Sequence, residues 1–153
     1  MKHTKNILIA VSALLFLFCL TQCKNDNEEL LHNIVLYNQP LPIIQKYIQG
    51  KWKLQYSYGG LATHKYIDTH NSYMILNSNR IIIGNDSTEV VNSTIVWEKT
   101  DIGSNEFTYL LNFNSYGNLS TESQIVDQIK NDTLITRDYY VSDGFSYYYT
   151  KYK

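Results

Sequence analysis

The chain has 153 residues, 44% of them apolar and 18% charged, with a formal net charge of -1. That is enough for one ordinary domain, too apolar for a disordered chain, and without the basic excess that binding to nucleic acid requires. Tyr occurs 14 times against 7 Gly and 2 Pro, and with Ile, Val and Thr it favours half-buried pleated surfaces, so composition leans to β and away from collagen, coiled coil or a disulfide scaffold.

The chain opens on Lys2, His3 and Lys5, followed by an apolar run from Ile7 to Leu20. The run is shorter than the ~20 residues that span a bilayer and fits the apolar region of a secretory signal. Leu20-Thr21-Gln22-Cys23 follows at once. This resembles the lipobox of bacterial lipoproteins, with Gln22 where a small residue is usual. The resemblance implies a signal peptide over 1–22, removed before Cys23, and a Cys23 thiol that carries diacylglycerol. Its acyl chains, palmitate-like, contribute ~0.8 kcal/mol per buried methylene and anchor the chain without a spanning helix. Cys19 lies in the discarded segment, so the mature chain is expected to have no disulfide and no Cys nucleophile. Removal takes Lys2 and Lys5 and no acidic residue, leaving a mildly acidic chain, which bears on solubility.

The segment 23–40 reads as a lipidated tether. Lys24-Asn25-Asp26-Asn27-Glu28-Glu29 resembles the Lys-plus-acidic signal that routes lipoproteins of Bacteroidota to the outer face of the outer membrane, and a plain solvated linker has the same composition. The expected location is the outer membrane, lipid-anchored, with cell-surface exposure open.

The folded domain is expected over 41–153. Pro40 and Pro42 bracket an extended turn, and Pro42 suits a first helical turn. Ile43, Ile44, Tyr47 and Ile48 recur at helical spacing before Gly50, which predicts one short helix over 42–49. From Trp52 the period is two. Trp52, Leu54, Tyr56 and Tyr58 alternate with Lys53, Gln55 and Ser57 up to Gly59-Gly60. Runs at 72–76, 80–83, 89–99, 107–113, 123–130, 133–141 and 145–152 follow, most of them joined by turn residues such as Asn77-Ser78-Asn79 and Asn131-Asp132. This predicts about eight sequential antiparallel strands, an up-and-down barrel with hidden edges.

The helix followed by Gly50-Lys51-Trp52 resembles the start of a lipocalin, where Gly-x-Trp opens the first strand. With Gly59-Gly60, Asn131-Asp132-Thr133-Leu134-Ile135 and Asp143-Gly144-Phe145-Ser146-Tyr147, residues 42–153 resemble the lipocalin-like lipoproteins of Bacteroidota. The resemblance implies an all-β, eight-stranded lipocalin-like barrel with a short N-terminal helix. It also implies that Trp52 closes the barrel base under a basic residue from a late strand, for which Arg137 is the candidate.

Little in the chain points to catalysis. His64, Asp68 and His70 are the only metal-ligand types close together, and they fit a polar loop better than a zinc site, which needs three or four convergent ligands. His32 belongs to the tether region. No nucleophile motif or phosphate loop is present, and no pair of carboxylates is singled out among Asp86, Asp101, Asp132 and Asp143. No enzyme activity, cofactor or metal is expected. Asp86-Ser87-Thr88 and Asp132-Thr133-Leu134 resemble a three-residue O-glycosylation motif of Bacteroidota, at Ser87 and Thr133.

The Tyr residues are the informative feature. Tyr139, Tyr140, Tyr147, Tyr148 and Tyr149 fall on the last two expected strands and Tyr56 and Tyr58 on the first, which become neighbours in a closed barrel. Inside, they suit a small amphipathic or aromatic ligand; outside, a surface protein or glycan partner; or they simply fill the core. The leading expectation is non-catalytic binding of a small, partly apolar ligand by Tyr56, Tyr58, Arg137 and Tyr147, with 59–71 as a lid. The rival is a cell-surface interaction protein, accessory subunit or inhibitor with a filled barrel.

Overall fold

The computed structural model describes residues 33–86, 88–104, 106–115, 120–139 and 142–152; the signal segment, Cys23, His32, Ser87 and Tyr140 lie outside them. The described residues belong to one compact unit, Leu31–Lys153. The elements are β1 (Asn33–Val35), α1 (Leu41–Ile48), β2 (Gly50–Gly59), β3 (His64–Ile67), β4 (Tyr73–Leu76), β5 (Arg80–Gly84), β6 (Glu89–Thr94), β7 (Val96–Gly103), β8 (Glu106–Ser115), β9 (Ser120–Lys130), β10 (Thr133–Asp138) and β11 (Phe145–Lys151).

The fold is all-β. The 11 strands among the described residues join one curled, antiparallel sheet in the order β6-β5-β4-β2-β11-β10-β9-β8-β7, with β1 beside β9 and β3 beside β2. First and last long strands, β2 and β11, pair from Phe145 against Gly59 to Lys151 against Trp52. The strand count exceeds the expected eight for three local reasons. Asn33–Val35 adds β1 on the free edge of β9 at Gln128–Lys130. The expected loop after Gly60 folds back as β3. The run expected over 89–99 is divided at Ile95, where the buried side chain turns the chain from β5 towards β8.

The expected tether contributes its end to the fold. Leu36 is fully buried in the core, and the amides of Leu36 and Tyr37 both donate to the Asp127 carbonyl at 2.8 and 3.0 Å. Helix α1 follows Pro40 and stops at Gln49, within a residue of the expected span, and buries Ile44 and Ile48. Against them packs Trp52, 1% exposed. Its indole N–H donates to the Ile48 carbonyl at 2.7 Å. Lys151, not Arg137, is the basic residue over its ring: Nζ lies 4.4 Å from the ring centroid and donates to the Gln49 carbonyl at 2.5 Å. Arg137 sits one residue out of phase with Leu134 and Thr136, the buried positions of β10, and so takes the outer face, 3.7 Å from Asp127.

Among the described residues four register shifts interrupt the ladders, and two of them lie in the middle of the sheet. Between β2 and β11, Tyr148 pairs with Tyr56 and Tyr149 with Leu54, so Gln55 is an extra residue. Between β9 and β10, Ile135 pairs with Gln128 and Thr136 with Val126, so Asp127 is extra. Each extra residue reverses which side chains face inward beyond it.

Trp52→Ala removes a large side chain that binds helix, first strand and last strand. Urea denaturation should show a loss of about 3–5 kcal/mol; a change within about 0.5 kcal/mol, the range of ordinary surface substitutions, would contradict this role.

Candidate functional site

The core face divides along the strands. Towards α1 it is apolar, with Trp52, Leu76, Ile81, Ile129 and Leu134 buried in one cluster. Towards Gly59 it turns polar. On β10 the inward positions run Leu134, Thr136, Asp138. Thr136 is fully buried and its hydroxyl donates to Gln124 Oε1 at 3.0 Å. Asp138 Oδ2 accepts from the Phe145 amide at 2.9 Å and from the Tyr147 hydroxyl at 3.4 Å. Ser115, also buried, donates to Glu122 Oε1 at 2.9 Å.

Aromatic rings line the same end. Tyr149, Tyr147, Phe145 and Tyr66 follow one another with ring centroids 6.4, 6.3 and 5.8 Å apart. Tyr149 is buried, and its hydroxyl is held far above the usual tyrosine range, first by burial, then by Tyr147 and Asp138, with a Thr136 hydrogen bond working the other way and Asp68 adding slightly to the rise. Asp68 is fixed by the loop it begins, accepting from the Ser72 amide and hydroxyl at 2.8 and 2.7 Å. Gly59 permits this end to close up: its φ is +149°, and a Cβ there would lie 2.3 Å from the Gly144 carbonyl.

The four residues expected to line a pocket do not converge. Tyr147 faces inward. Tyr56 and Tyr58 face outward, because the extra residue Gln55 reverses the alternation set by Trp52 and Leu54. Tyr56 stacks on Tyr148 at 4.3 Å, with Lys65 Nζ 3.9 Å from its other face. Burial first, then Tyr56, Asp127 and Tyr58, raises the Tyr148 pKa. Arg137 is on the outer face as well. The residues that do converge, Thr136, Asp138, Gln124 and Tyr149, were legible in principle as a period-two shift from apolar to polar along β10.

His64 lies edge-on to Tyr66 with centroids 6.3 Å apart, while His70 Nδ1 lies 3.4 Å from Thr69 Oγ1. Among the described residues no three His, Cys, Asp or Glu side chains could hold a metal ion together. Thr133 is a strand residue whose hydroxyl donates to the Asn131 carbonyl at 3.4 Å. The surface carries open grooves elsewhere, one of about 510 Å³ between Asn38–Pro40 and Lys99, Phe107 and Tyr109. No family model, curated protein or solved structure matches the chain.

Tyr149 yields a pH test. The folded state keeps its proton where the unfolded chain loses it, so above about pH 10 the folded state binds more protons and stability falls as pH rises. Denaturation between about pH 8 and pH 11 should show an alkaline loss that Tyr149→Phe reduces. An equal loss in both proteins would contradict the burial of this hydroxyl.

Proposed function

We propose that this protein is a lipid-anchored, lipocalin-like binding protein of the outer membrane that holds a small, partly apolar ligand at the Gly59 end, without catalysis. The observation that carries the reading is the polar, aromatic half of the core face. Thr136 pairs with Gln124 and Tyr147 with Asp138, which gathers four polar side chains at one end of the core face. Asp138 and Gln124 offer acceptors and the Tyr and Phe rings an apolar wall. That set suits a ligand with hydroxyl or amino donors beside an aromatic or alicyclic body.

The eight-strand, up-and-down barrel belongs to this reading. It is supported by the two ends of the strand path, β6 and β7, being successive in the chain with Ile95 alone between them. A contact from the Asn114 amide to Ser93 Oγ at 3.1 Å, between β8 and β6, supports it further. So counted, β6 and β7 are one bent strand and β1 and β3 are additions. Lys151 over Trp52 supports the lipocalin likeness. The lipid anchor rests on the sequence around Cys23.

A second reading, an interaction protein with a filled barrel, is favoured by the contiguous apolar cluster from Leu36 and α1 to Tyr149. Native mass spectrometry of protein from its own host separates the two. A co-purified small molecule, lost in Tyr147→Phe and Asp138→Asn variants that keep their thermal transition, is the expected result. Protein that is free of small molecules would favour the filled-barrel reading. The anchor has its own test: Cys23→Ser should move the protein from the membrane to the soluble fraction, and unchanged fractionation would remove it.

A further inference from the structure

We propose that β3 is a dimerisation edge, where two copies of this chain join their sheets antiparallel about a twofold axis at Tyr66. The inference does not depend on the ligand or anchor readings. Among the described residues β3 pairs on one side only, with β2. The Asp68 amide donates to the Gln55 carbonyl, and antiparallel alternation then turns the backbone groups of His64 and Tyr66 towards β2. Those of Lys65 and Ile67 face away, two N–H and two C=O groups at a strand repeat.

Exposed edges are normally guarded, most often by lysine. Here the guard is withdrawn: Lys65 Nζ lies over the Tyr56 ring, 3.9 Å from its centroid. Large apolar side chains crowd the same hairpin instead, with Tyr58 44%, Leu61 90%, Tyr66 52% and Ile67 61% exposed.

The occupant follows from the register. With Tyr66 opposite Tyr66 of the second copy, Lys65 of each chain exchanges both backbone hydrogen bonds with Ile67 of the other. No like charges stand opposite, two aromatic rings meet across the axis, and each contact is made twice. A twofold contact needs one self-complementary patch, which Lys65-Tyr66-Ile67 supplies.

The full chain, purified in mild detergent, should show a concentration-dependent monomer–dimer equilibrium by sedimentation velocity. Ile67→Pro deletes an N–H that faces away from β2, so the β2–β3 ladder keeps its bonds while the dimer is lost. Tyr66→Cys should give a disulfide-linked dimer on mild oxidation, since directly opposed residues at a non-hydrogen-bonded site lie about 4.5 Å apart at Cα. Wild-type chain is the control for Cys19 and Cys23. A chain that stays monomeric at every concentration overturns the proposal. So does a dimer that Tyr66→Cys fails to cross-link beyond the wild-type background.

Discussion

The structure depends on how one tryptophan is enclosed. Trp52 is the point where helix, first strand and last strand meet. Its indole N–H is bonded to the end of α1 through Ile48, and its ring lies under the Lys151 ammonium. That ammonium in turn bonds the Gln49 carbonyl that α1 leaves unsatisfied. Partial burial lowers the Lys151 pKa, a cost offset by the ring and the carbonyl. In the strand path β2 and β11 are central neighbours, and they are held together at the residues that enclose the indole.

Away from the Trp52 end, the bulges on β2 and β9 set which side chains face the core. The extra residues Gln55 and Asp127 fall on β2 and β9, either side of the β10–β11 pair. They increase the local bend and exchange inward for outward positions beyond them. The Tyr-rich strands are therefore sorted. Tyr147 and Tyr149 go inward beside Thr136 and Asp138, while Tyr56, Tyr58 and Tyr148 form an outer set with Lys65. One composition thus serves two surfaces, a polar inner end and an aromatic outer strip.

Much of the fold was legible because period two is robust where one face is buried. The runs beginning at Trp52, Ser72, Arg80, Glu89, Phe107, Ser123, Thr133 and Phe145 all became strands, and the spacing of Ile44, Tyr47 and Ile48 became α1. The inner and outer faces were less legible. Trp52, Leu54, Tyr56 and Tyr58 alternate without interruption in the sequence, and nothing at Gln55 signals the residue that reverses them. Lys151 was hidden for another reason, since a basic residue near a chain end gives no sign of the ring it will cover. Leu36 was read as tether because three residues of β1 are too few to show a period.

Hydrogen exchange at the indole N–H tests the enclosure of Trp52 most directly. A proton bonded to Ile48 and sealed by α1 and Lys151 can leave only when the domain unfolds. That proton should exchange in the slowest class, with a protection free energy equal to that of global unfolding. Exchange at the rate of a free indole would show that helix, first strand and last strand are not locked together there.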